Sequence, residues 1–120
     1  MAHESPSPVP IPAPWRKSVA AILRKGVSAE ILVTQRARNE FEARFPDAWA
    51  FERNTAMADA ITQDSVLGRR ITGMREPGEV WAFWFHFRSI KLYAKINLTP
   101  SGKLIIIYSA HVPLKGEENL

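Results

Sequence analysis

The segment WAFWFHFRSIKLYAKI, Trp81 to Ile96, gathers aromatic rings, a histidine and the cations Arg88, Lys91 and Lys95 into one short stretch. Cations track phosphates, and rings stack on unpaired bases. A histidine such as His86 titrates near neutrality, so it can take or give a proton under physiological conditions. The question is which of these side chains share a surface, and that depends on the elements that carry them.

From Val80 to Arg88 the chain alternates strictly. Trp81, Phe83, Phe85 and Phe87 fall on one face, with Val80, Ala82, Trp84, His86 and Arg88 on the other. From Ile90 the alternation resumes, setting Ile90, Leu92, Ala94 and Ile96 against Lys91, Tyr93, Lys95 and Asn97. A two-residue turn at Arg88 and Ser89 pairs Phe87 with Ile90, Phe85 with Leu92, Phe83 with Ala94 and Trp81 with Ile96. The other face then pairs His86 with Lys91, Trp84 with Tyr93, and Ala82 with Lys95. A one-residue slip would drive cations into the core, so this register is preferred, although Arg-Ser is a poor sequence for the usual primed turns. The apolar face is expected to lie under helices. The other face surrounds Trp84 and Tyr93 with neutral or cationic groups, which suits either a nucleic-acid surface or an ordinary solvated basic face.

The remaining elements follow from local pattern. MAHESPSPVPIPAP, with its alternating prolines, reads as an extended, disordered tail over residues 1–14, and residues 15–120 as one domain. WRKSVAAILRKG reads as a short amphipathic helix that stops at Gly26. AEILVT is a strand. Thr34 caps a helix through about Arg44, and Asp47 caps another reaching about Gln63, which buries some of Trp49, Ala50, Met57 and Ile61; the two are expected to form a hairpin. DSVLGRRITGMREPGE, with Arg69, Arg70 and Arg75, reads as an exposed connection. LIIIYS, apolar on both sides, suits a central strand, with His111 emerging just beyond it.

Sixteen Lys and Arg against twelve Asp and Glu give a net charge of +4, which favours an anionic partner without naming one. There is no cysteine, and the three histidines are scattered, so neither a metal site nor a cofactor is expected. No apolar run is long enough to span a bilayer, and the N-terminus lacks the order of a signal peptide. A cytoplasmic protein without a membrane partner is the expectation.

The succession of a strand, a helix hairpin and three antiparallel strands resembles the RelE/ParE superfamily of bacterial toxins, including its HigB-like branch. The likeness runs from about Ala29 to Lys115 through AEILVTQRARNEF, AITQDSVLGRRITGM, and WFHFRSIKLYAKI before KLIIIYSAH. It implies an α+β fold, with a curved antiparallel sheet of about four strands and a helix hairpin on one face; the N-terminal helix is an addition. It also implies a toxin neutralised by a cognate antitoxin. RelE-like members cut messenger RNA in the ribosomal A site; ParE-like members inhibit DNA gyrase without a nuclease site.

By position, Lys91 stands where the family often has an arginine, with Ile90 in place of the preceding tyrosine. His86 and Arg88 fall where RelE-like nucleases carry basic residues, and His111 near the basic or histidine position of the last strand. The tyrosine common near the end of RelE-like chains is absent. Metal-independent cleavage through the RNA 2′-hydroxyl needs a base, an acid and positive charge at the phosphorane. His86 and His111 would move protons, and Arg88, Lys91 and Lys95 would hold phosphate. Arg69, Arg70 and Arg75 would contact flanking backbone, and Trp84 and Tyr93 would stack on bases. The alternatives are a gyrase inhibitor and a nucleic-acid-binding module without catalysis.

Overall fold

A computed structural model describes residues 3–4 and 7–113. Its elements are β1 (His3–Glu4), β2 (Val9–Pro10), α1 (Ala13–Lys25), β3 (Ile31–Val33), α2 (Gln35–Arg44), α3 (Ala50–Ile61), β4 (Leu67–Thr72), β5 (Glu79–Phe87), β6 (Ile90–Leu98) and β7 (Ile105–His111). The fold is α+β. The sheet runs β1-β4-β5-β6-β7-β3, with β2 also pairing with β4.

Strand β3 lies parallel to β7, and the other pairs are antiparallel. The sheet is therefore mixed and has six strands along its path, rather than about four strands of a curved antiparallel sheet. One extra strand is β4, inside the segment expected to be a connection. Its alternation, Gly68 and Arg70 toward the helices and Arg69 and Ile71 toward the far face, was masked by the glycine and the two arginines. Gly68 is required by close packing: a Cβ there would sit 2.6 Å from the Ala82 carbonyl oxygen and 2.7 Å from Ile11 Cδ1.

The proline-rich segment also departs from a disordered tail. Val9 and Pro10 lie along β4, Ile11 donates its N–H to the Val66 carbonyl at 2.9 Å, and the Ile11 side chain is only 2 % exposed. Prolines favour the extended backbone that this docking uses.

All three helices pack on one face of the sheet. Helix α1 buries Trp15, Val19, Ala20, Ile22 and Leu23, and stops at Gly26, whose left-handed backbone (φ 67°) returns its N–H to the Ile22 carbonyl. Arg16 reaches the carbonyls of Ile61 and Gln63 at 3.1 and 3.2 Å, which serves the orphan acceptors at the end of α3. Thr34 caps α2 as expected, accepting the Ala37 N–H at 3.1 Å.

The expected hairpin of α2 with α3 gives way to a different pairing. Helix α3 packs against α1 and β5, while α2 lies over β7. The cap of α3 differs as well. Trp49 starts the helix, its N–H held by Glu52 at 2.9 Å, and Asp47 instead pairs with Arg88 at 2.8 Å. Met57 and Ile61 are buried, but Trp49 and Ala50 are exposed.

Under the helices, the β5 and β6 register matches the alternation pair for pair. Trp81, Phe83, Phe85 and Phe87 enter the core, where Phe87 meets Phe41 and Phe45 at 5.2 and 4.8 Å between ring centres. Arg88 and Ser89 take φ values of 51° and 65°, the two positive values of a primed turn, despite side chains that disfavour them. No helix among the described residues is long and apolar enough to cross a membrane.

Candidate nucleic-acid interface

The face of the sheet away from the helices is ordered in rows by strand register. Trp84 on β5 is opposite Tyr93 on β6, and Tyr93 is opposite His111 on β7. This ring row is in contact throughout: Trp84 meets Tyr93 edge-on at 6.1 Å, and His111 stacks on Tyr93 at 5.5 Å with 26° between planes. One row to one side lies Lys91, whose Nζ stands 4.4 Å from the Trp84 ring centre. One row to the other side come Arg69, Ala82, Lys95 and Ser109. Lys95 is half-buried and makes no ion pair among the described residues. Strands β5 and β6 bring no carboxylate to this face between Val80 and Asn97.

The row beyond is covered. The β4–β5 loop folds over Ile71, Val80 and Tyr108, with Met74 packed beside them. The Tyr108 hydroxyl donates to Glu76 at 2.7 Å, and the Asn97 amide donates to that hydroxyl at 3.1 Å and to the Pro77 carbonyl at 3.2 Å. Burial, partly offset by the Asn97 donor and reinforced by Glu76, pushes the Tyr108 phenol up to about 12. Gly78 closes the loop where any Cβ would collide with Asn97 Oδ1. Sequence reading missed this polar seam because an irregularity in the β6–β7 register beside Lys95 leaves Tyr108 out of the pairing.

The expected site residues fall into separate groups. Trp84, Tyr93, His111, Lys91, Lys95 and Arg69 share the far face. Tyr93 is only 2 % exposed, so it is the floor of the row rather than a stacking platform, and Trp84 is the half-exposed ring. His111 is 8 % exposed, with Nδ1 2.7 Å from the Val112 carbonyl and Nε2 3.7 Å from Glu40 of α2. His86 is exposed but stands at the rim. Beyond Ala82, β5 has α3 rather than β4 beside it, and His86 borders a groove of about 330 Å3 with Ala56, Asp59, Ala60 and Gln63. His86 and His111 are two strands and two residues apart, roughly 12 Å between backbones.

Two arginines serve the fold. Arg88 is held by Asp47 at 2.8 Å and Glu52 at 3.8 Å, and lies over Phe87. That hydrogen bond raises the guanidinium pKa and lowers that of the Asp47 carboxyl. Arg70 alternates to the helix side and donates to the carbonyls of Ile71 and Val80. Arg75 is exposed on the covering loop.

Comparison with family models, curated proteins and solved structures finds no match.

Proposed function

We propose that the protein binds single-stranded RNA across the far face of its sheet, with Trp84 as the stacking platform and Lys91 and Lys95 as phosphate contacts. The observation that carries this reading is the continuous ring row Trp84–Tyr93–His111, flanked by lysines on strands that bring no carboxylate to the face. Tyr93 and His111 hold the platform from below. Stacking tolerates any base, and lysines follow the backbone.

The sequence resemblance suggests a biological setting: a toxin of the RelE/ParE type, held by an antitoxin and acting on messenger RNA, on or off the ribosome. Metal-independent cleavage is the activity that this setting would add. The geometry favours binding over cleavage. Transfer through a 2′-hydroxyl needs a base and an acid at one phosphate, whereas His111 is largely buried and His86 stands about 12 Å away. The same separation favours a second reading, in which the protein blocks DNA gyrase without chemistry.

The test is fluorescence anisotropy with a short unstructured RNA, run beside a gel assay of the same RNA and of its 2′-deoxy analogue. Binding that weakens in Trp84→Ala by about 1–3 kcal/mol supports the stacking role. Cleavage of the ribo-oligomer alone, lost in His86→Ala, moves the assignment to a nuclease. Unaltered affinity in Trp84→Ala removes the face from consideration, and inhibition of gyrase supercoiling by such a protein would favour the second reading.

A further inference from the structure

On the helix side of the sheet, a cavity of about 380 Å3 opens between β3, α2 and α3. Ile31, Val33, Phe41 and Ala48 supply apolar walls, and Arg53 and Asn54 of α3 line it as buried polar residues. Arg53 is only 6 % exposed, yet no carboxylate among the described residues comes within ion-pairing distance of it. Its guanidinium is nonetheless well fixed. One face covers the Phe41 ring, 5.8 Å from its centre. The edge formed by Nε and Nη2 chelates Asn54 Oδ1 at 3.1 and 2.9 Å.

A guanidinium has five N–H donors in a planar fork. Asn54 uses the side edge and leaves the end-on pair, one hydrogen each on Nη1 and Nη2, which matches two oxygens of a carboxylate or phosphate. Burying a cation against a neutral amide alone is costly, because that oxygen cannot balance the charge. Burial, and next the neighbouring Arg38, lower the pKa of Arg53, with exposed Glu42 opposing them. Arg38 and Glu42 both line the cavity, so the three side chains leave one net positive charge there.

We infer that this cavity binds a small organic oxyanion, a single carboxylate or phosphate group on an apolar body, with Arg53 as its bidentate anchor. The anionic group meets the end of the Arg53 fork beside Arg38, and the body lies against Phe41, Ile31 and Val33. Glu42 weakens the site by its charge but does not occupy the fork. The site is independent of the RNA face, since the sheet separates them.

Calorimetric titration of the full chain with benzoate and with phenyl phosphate, at ionic strength fixed with chloride, tests this. Saturable binding with a Kd at or below about 1 mM is expected. Arg53→Met should weaken it by about tenfold or more, and Glu42→Gln should tighten it by about threefold. Because Glu42 is exposed, the second variant keeps the fold even if the first does not. Lys91→Ala/Lys95→Ala should bind both anions as the native protein does, which separates this site from the RNA reading. Tighter benzoate assigns a carboxylate ligand, and tighter phenyl phosphate a phosphate ester. Absence of saturable binding, or affinity unmoved by Glu42→Gln, overturns the inference.

Discussion

Replacing Lys91 and Lys95 together by alanine should change the salt dependence of RNA binding by a definite amount. Each phosphate neutralised on a single strand contributes about −0.7 to the slope of log affinity against log salt, so losing two contacts flattens the slope by about 1.4. Between about 50 and 200 mM salt, native binding should therefore weaken about sevenfold more than binding by the double variant. The lysines suit the measurement because neither is in an ion pair among the described residues. Lys91 gives up its position over Trp84, 4.4 Å from the ring centre, a contact of about 0.5–1 kcal/mol at an exposed site. The fold should survive, as circular dichroism and thermal melting can verify. Anisotropy titrations at several salt concentrations supply the two slopes. Equal slopes in native and variant protein would falsify the phosphate assignment, whatever happens to the affinity at one salt concentration.

Three further outcomes test the structure beneath the site. Ile11→Ala should cost about 2–5 kcal/mol in urea unfolding, as for a large aliphatic core residue; a loss below that of a surface substitution would mean that the proline-rich segment is not docked. Ser89→Gly should gain about 0.5 kcal/mol, because glycine adopts the 65° φ without strain and gives back part of that gain through unfolded-chain entropy; a lower urea midpoint would contradict the primed turn. The Tyr108 phenol, raised from 10.0 to about 12, has a folded pKa above its unfolded value. Its contribution to stability is intact below pH 10, fades as the pH rises toward 12, and should vanish in Tyr108→Phe, as followed by phenolate absorbance and urea midpoints.

Local pattern made much of the molecule legible. The alternation around Phe83, Phe85, Leu92 and Ala94 determined which side chains enter the core, because every neighbouring register would bury a lysine. Thr34 and Gly26 marked helix ends through their own side-chain and backbone chemistry. What local pattern did not carry was pairing at a distance. Nothing in ILV indicates that β3 will run parallel to β7, and nothing in Asp47 distinguishes a helix cap from the partner of Arg88. The same limit applied to the site. The far-face rows followed from strand register, but the covered seam around Tyr108 came from a register irregularity and a folded-over loop that local pattern does not carry.

The parallel union of β3 with β7 bears on how the chain acquires its shape. Residue 31 must find residue 105 across an intervening chain that holds two helices and the three antiparallel strands β4, β5 and β6. The β5–β6 hairpin needs only a two-residue reversal, so its loop-closure entropy is small, while β3 waits until β7 has been laid against β6. Closure of the β3 edge is then a late kinetic event, and α2, which starts right after β3 and rests on β7, should consolidate with it. Hydrogen exchange during refolding would register protection first in β5 and β6 and last at Ile31, Leu32 and Val33.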